Sequence, residues 1–453
     1  MKIKTSKMIM PVGMFLCILL ASTNITYGQL ALDDLINYAL QHSRDIKSAN
    51  LQLEEARYQH KETLGQGLPQ VEASASYSKM MLPEISLPED LISGIPEEYE
   101  PMLAQLSNLD AFYTATAGVQ VTQLIYNQSY LTGLKTTKKS QELYELLKSK
   151  TEEEVIEEVA TSYYQVLSLM LQLNTVDKSL VNLNEIYRIV NLNYENDLVK
   201  ETDVNRLKVT ITNLEVNQQT ITNAIEIQLN YIKALSGMPS DTTLNLGAIS
   251  IDNDKEPLMQ SPLFLIESVP SYQVLIKQRE LNDQEIKLAK AEYCPTLATY
   301  GQFNFSSYNI ESDIEEFNNM NTIGVQLSVP IFTSGINQAK VKQAQLKRAQ
   351  TEENILKTKD LLSVSYSSAR TEYQTAYNLL EAQKENRDLA FKVYEQTTLQ
   401  YKEGMASMAD VLNVNSDFIQ AESSYNQQII KCRLSEIKMM KSSGTLKLLV
   451  NKN

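Results

Sequence analysis

The 453-residue sequence has no tryptophan, two histidines and three cysteines, so the two histidines are the one pair to weigh as metal ligands. His42 and His60 both fall on the first predicted helix, where a solvated helix face accounts for them. No phosphate-cradling glycine-rich loop, nucleophile elbow or CxxC pair occurs, so the chain reads as a non-enzyme without cofactor or metal. Cations are also in short supply: 41 Lys and Arg stand against 55 Asp and Glu, a net charge of −14 that becomes −17 without Lys2, Lys4 and Lys7 of the leading segment. Phosphate backbones repel such a chain, which excludes nucleic acid as a partner.

A long apolar run is missing as well. The longest, residues 8–21, follows three lysines and precedes the small-residue stretch Thr26-Tyr27-Gly28. At about 14 residues it is shorter than the ~20 of a membrane-spanning helix, and the layout is that of a secretory signal over residues 1–28, an uncleaved anchor being the alternative. Cys17 lies inside the run, so no lipid-modified N-terminal cysteine is indicated, and the mature chain keeps Cys294 and Cys432. These sit on separate predicted helices too far apart to bridge, and both are expected to be free thiols.

Proline is absent between Pro101 and Pro239 and after Pro330, and glycine is nearly absent over the same stretches. Helices therefore run unbroken, the first over about 129–193, on the order of 100 Å at 1.5 Å per residue. Shorter segments over about 33–65 and 203–235 together match that length and are expected to stack beside it. In the second tract Tyr366, Tyr373, Leu380, Arg387, Tyr394 and Tyr401 recur every seven residues, with Ala369, Ala376, Gln383, Ala390 and Thr397 offset by three. That is the knob-and-hole pattern of helices packed side by side.

Each tract breaks once. Gly404 in Tyr401-Lys402-Glu403-Gly404-Met405-Ala406 can adopt the left-handed conformation that ends a helix, and Asn196 or Asp197, ahead of Leu198, can do so in the first tract. The breaks are 207 residues apart, and Val119-x-Val121-x-Gln123-Leu124-Ile125-Tyr126 matches Val325-x-Leu327-x-Val329-Pro330-Ile331-Phe332 at 206. A tandem repeat follows: residues 29–239 and 271–453, joined by a proline-bearing segment 240–270 that forms an equatorial collar.

Strands with one apolar and one polar face are expected near 70–79, 114–125, 296–306 and 322–332, at a length that suits an outer-membrane barrel. A half-buried soluble sheet would show the same alternation. Four strands cannot close an open lumen, and lipid tolerates no free sheet edge, so three copies giving twelve strands are expected. Two loops beside these strands are acidic: Glu84, Glu89, Asp90, Glu97, Glu98, Glu100 and Asp110 in the first, Glu311, Asp313, Glu315 and Glu316 in the second.

With these pieces in order the chain resembles the outer membrane factor family of TolC-like trimeric channel-tunnels. Val329-Pro330-Ile331-Phe332-Thr333-Ser334-Gly335 is similar to the family's strand-to-helix junction. Tyr401-x-x-Gly404-x-x-x-x-x-Asp410-Val411-Leu412 is similar to its periplasmic turn. The resemblance implies a mostly α protomer: an α-helical barrel joined to a transmembrane β-barrel in the outer membrane. It implies a passive exit duct for drug, metal or protein, a homotrimer, that works with a periplasmic adaptor and an inner-membrane pump. It also implies a gate at the periplasmic tip involving Tyr401, Asp410 and Asp203. Ala406 stands where the family has an arginine and Asn413 where it has a second aspartate. Asn196, Asp197, Leu198, Gly404, Met405 and Ala406 would form the tips that the adaptor meets. Asp203 and Asp410 could equally be helix N-terminal caps, with Lys200 and Arg206 close enough to pair with Asp203. A coiled-coil stalk or an adaptor protein is the alternative function.

Overall fold

The computed structural model describes residues 30–81, 96, 99, 111–246, 264–309 and 317–450. The signal segment, nearly all of the first acidic loop, part of the second and the centre of the inter-repeat segment lie outside the described residues.

Described elements run α1 (Leu32–His42), α2 (Arg44–Gly65), β1 (Gln70–Met81), β2 (Ala111–Asn127), α3 (Gln128–Glu195) and α4 (Glu201–Ser236). They continue with α5 (Pro270–Ala291), β3 (Thr296–Asn309), β4 (Asn318–Ser328), α6 (Ile336–Lys402) and α7 (Met408–Ser442). The two long helices, of 68 and 67 residues, follow β2 directly and β4 after a seven-residue junction, 329–335. With no proline and one early glycine in α3 and neither in α6, nothing interrupts the backbone ladder.

The first helix differs from expectation. One helix was anticipated over 33–65, but Ser43 is extended (ψ 139°) and splits it into α1 and α2. The end of α4 lies against the kink: Gly237 takes the left-handed conformation (φ 74°) directly against the backbone of His42 and Ser43. Strand β4 also stops at Ser328, short of residue 332, because Pro330 has no N–H to give a ladder.

The heptad pattern of α6 is realised against α7. Ala369, Tyr373, Ala376 and Tyr394 are buried, and the remaining positions of the repeat are half-buried. Arg387, the one charged residue in the repeat, lies over the Tyr425 ring at 4.5 Å and pairs with Asp388. Ala369 and Tyr373 cluster with Met439 of α7. Two larger apolar cores lie elsewhere among the described residues. The first lies midway along the helices, where Leu35, Ile36, Val159 and Val166 meet Ile232, Leu246 and Leu446. The second lies at the far end and gathers Val190, Val204, Leu207, Met408 and Val411, so both helix turns share one core.

Nearer the sheet, α3 and α5 are joined by charge. Lys139 and Lys277 each contact Glu142 and Glu280 at 2.8–3.1 Å, a closed ring of alternating sign linking the two halves. Hydrogen bonding to the lysines holds both carboxyls below the usual glutamate range.

Cys294 and Cys432 are both free. Burial pushes the Cys432 thiol up to about 11, keeping it protonated and inert at neutral pH. Thiol titration of the protein lacking its leader is therefore expected to find two groups after unfolding without reductant, with Cys432 silent before it. Finding none would mean a disulfide.

Candidate functional site

The four strands form one antiparallel sheet in the order β1-β2-β3-β4. Register carries the alternation coherently from strand to strand: Ala73 pairs with Val119, Val119 with Phe303, Val121 with Gly301 and Gly301 with Ile323. Leu297 pairs with Leu327 on the same face. The opposite face carries Glu72, Gln120, Gln302 and Thr322 in one row and Ser76, Thr116, Ser306 and Asn318 in another. A one-residue slip would have mixed the faces.

No described helix packs across either face. Ile323 is 81% exposed, Val71 69% and Val325 67%, a continuous apolar surface far beyond what water tolerates. A half-buried soluble sheet would have this face covered. The edges β1 and β4 have no strand partner among the described residues. Gly118 is required by close approach, because a β-carbon there would overlap the Asn304 side chain.

The far end of the molecule holds the two helix turns. Asp197 (φ 60°), rather than Asn196, takes the left-handed position of the first, and Gly404 (φ 74°) that of the second. The same pair of bonds closes each turn. The Leu198 N–H donates to Asn193 O and the Asp197 N–H to Tyr194 O. The Met405 N–H donates to Gln400 O and the Gly404 N–H to Tyr401 O. Asn196 adds a side-chain bond to Leu192 O. Leu198 and Met405 project into solvent at 75% and 73% exposure, and Ala406 is half-buried behind them.

Helix α7 begins with a capping box. The Ser407 hydroxyl accepts from the Asp410 N–H at 3.2 Å, and Asp410 Oδ2 accepts from the Ser407 N–H at 2.9 Å and its hydroxyl at 2.6 Å. These bonds hold the Asp410 carboxyl below the usual aspartate range, yet the side chain stays exposed. Ser407 escaped the sequence reading, although Ser-x-x-Asp ahead of an apolar residue is the spacing that marks such a cap.

Asp203 occupies the matching third position of α4, where the N-cap residue Lys200 offers no side-chain bond. Neither Lys200 nor Arg206 forms an ion pair with it, so the anticipated pairing is absent. The Tyr401 phenol is raised by burial and then by the negative charge of Asp203 on the neighbouring turn. Asn413 is exposed one turn beyond Asp410. Tyr401 packs on the turn-end core, within reach of the Asp203 charge, while Asp410 and Asn413 are exposed on α7. The two histidines have protein partners, His42 the Tyr38 carbonyl one turn earlier and His60 the Thr137 hydroxyl of α3.

Comparison with known proteins bears on this arrangement. The profile of the Outer membrane efflux protein family matches residues 35–238 and 265–444. Outer membrane protein TolC of Escherichia coli K12 is 21% identical over 392 residues, covering 78% of this chain and 76% of that protein. The probable efflux pump outer membrane protein SepC of Pseudomonas putida is 19% identical over 91% of this chain and 82% of its own length. Among solved structures, the Campylobacter jejuni CmeC outer membrane channel superposes with a TM-score of 0.74 at 17% identity, covering 92% of this chain and 86% of that one. Vibrio cholerae VceC does so at 0.71 and 16%, covering 91% and 96%. The fold is therefore that of the outer membrane channels, a mostly α protomer with a small sheet, and the chain belongs to the Outer membrane efflux protein family.

Proposed function

We infer that three copies of this chain close into a duct through which an inner-membrane pump and its periplasmic adaptor expel cargo across the outer membrane. The observation that carries the reading is the uncovered, two-faced sheet with unpaired edges β1 and β4. In lipid every exposed N–H and C=O must be satisfied, so β1 of one copy pairs with β4 of the next until threefold symmetry closes a twelve-stranded barrel. The apolar face then meets lipid and the polar face lines the lumen. The helices, on the order of 100 Å long, continue the duct through the periplasm.

Membership of a channel family makes the chain a transporter and not an enzyme. A signal segment over residues 1–28 is removed on export, and the two halves are diverged copies of one repeat; the acidic loops, whose acids lie outside the described residues, are expected at the extracellular mouth. Exposed Leu198 and Met405 at the two turn tips, with Asn196, Asp197, Gly404 and Ala406, form the surface that the adaptor meets. Cargo selection falls to the pump, because a polar lumen is permissive. Purified protein added to a planar lipid bilayer is expected to give discrete conductance steps. A membrane-inserted protein that never conducts would contradict the duct.

The gate is placed at the turn end. Asp203 and Asp410 occur three times around the axis, with Tyr401 at the end of α6 and Asn413 beyond Asp410. Asp410 serves as a cap and, being exposed, as a lumenal carboxylate. Replacing Asp410 with Ala is expected to weaken block of the channel by multivalent cations. Replacing Ser407 with Ala removes the cap alone, costs about 1 kcal/mol and leaves block unchanged. Equal block in wild type and Asp410→Ala would confine Asp410 to capping.

A further inference from the structure

Charge changes sign along the sequence around the strands. The segments 82–110 and 310–316 carry eleven carboxylates and no lysine or arginine. The helices that follow β2 and β4 open on cations alone: Lys135, Lys138 and Lys139 precede the first acid of α3, Glu142. Lys340, Lys342, Lys347 and Arg348 precede the first acid of α6, Glu352. In a chain of net charge −14 this basic collar is a local reversal.

Part of the collar is internally neutralised. Lys139 joins the charge ring, Lys340 pairs with Glu292, Lys347 with Glu285 and Arg348 with Asp283. Lys135, Lys138, Lys287, Lys290 and Lys342 are exposed, and among the described residues none has a carboxylate partner. Two of them, Lys290 and Lys342, line the same open cleft of about 700 Å³ between α5 and α6, together with Tyr293, Gln338 and Gln345. Two exposed lysines lining one open cleft offer favourable charge to an anion placed between them.

The place of this cleft suggests the anion. It opens at Gly335, directly after the segment in which Val329 is 52%, Ile331 95% and Phe332 85% exposed, where the apolar sheet face gives way to helix. Tyr126 and Tyr293, 40% and 49% exposed, stand at the same level. Aromatic rings followed by cations mark the boundary between hydrocarbon and headgroups.

We propose that the Lys290–Lys342 cleft binds the headgroup phosphate of a glycerophospholipid in the periplasmic leaflet, seating the duct at a fixed depth. The two ammonium groups hold the phosphodiester and the Tyr293 hydroxyl and glutamine amides complete the site. The acyl chains lie against Ile331 and Phe332. Lys135, Lys138 and Lys287 extend the basic surface to neighbouring lipids. The proposal rests on the sheet being the membrane-crossing part of the duct.

Native mass spectrometry of the complex released from nanodiscs of phosphatidylglycerol, or of phosphatidylcholine with uncharged diacylglycerol, separates the two claims. The oligomer mass reports the duct and the retained adducts report the site. Wild type is expected to retain phospholipid and no diacylglycerol, and Lys290→Gln/Lys342→Gln to lose roughly tenfold of it. A Lys357→Gln/Lys359→Gln variant, altered further along α6, should retain lipid as wild type does. A trimer with equal retention in both double variants would overturn the lipid site and leave the duct standing, whereas absence of an oligomer would undo the duct itself. Uptake of inorganic phosphate in preference to lipid would also overturn the proposal.

Discussion

Replacement of Gly237 by alanine is expected to destabilise the protein by more than about 3 kcal/mol, while the same change at Gly404 costs only about 1–2 kcal/mol. Both glycines sit at φ 74°, so the conformational cost to an L-residue is shared. They differ in surroundings. A β-carbon at Gly404 meets nothing within 4 Å, whereas one at Gly237 overlaps the His42 carbonyl. Backbone cannot swing aside as a side chain can, and the obstructed backbone is the kink that lets α1 and the end of α4 close the central core around Leu35, Ile36 and Ile232. Thermal unfolding of the detergent-solubilised variants checks the contrast. Equal losses would mean that the Ser43 kink yields freely.

Glu153→Gln is expected to stabilise the protein by on the order of 2 kcal/mol above about pH 8 and to have no effect near pH 4.5. Glu153 is only 7% exposed on α3. Burial pushes its carboxyl up to about 7, against the opposing pull of Lys447 and Lys441. Those lysines are engaged elsewhere, Lys447 with Glu152 at 2.8 Å and Lys441 with Glu157. The folded state thus holds this proton more tightly than the unfolded chain does. The contribution is complete below the ordinary value of 4.5 and is lost as pH rises through about 7. Glutamine keeps the shape without the charge. Melting temperatures of the two proteins across that range should diverge upward with pH, and parallel curves would contradict a buried proton at this position.

Much of the architecture was legible because its signals are one-dimensional. The absence of proline and glycine marked the long helices, alternation marked the strands, and seven-residue spacing from Tyr366 to Tyr401 marked the seam with α7. What escaped depended on neighbours distant in sequence. The break at Ser43 has no local signature, and the backbone packed against it is that of Gly237, almost two hundred residues away. The strand ending at Ser328 was legible in principle from Pro330, but apolar Val329, Ile331 and Phe332 continued the alternation past it.

At the turn end, the left-handed residues could be located from Gly404 and its counterpart, but the choice of Asp197 over Asn196 depended on the bond from Leu198 to Asn193. Asp203 and Asp410 looked equivalent by spacing. They part company because Ser407 can cap and Lys200 cannot. Sequence alone also left the sheet's faces open to a soluble reading, and it was the coherent register and the bare apolar face that removed it. Family membership leaves no place for the stalk or adaptor alternatives.

The central claim, that this chain is one third of a closed outer-membrane duct, is tested most directly by the mass of the detergent-solubilised complex extracted from outer membrane. Three chains per particle are predicted, because β1 and β4 have no strand partner within the described chain and lipid provides none. A particle that remains a single chain while embedded in the membrane would contradict the account.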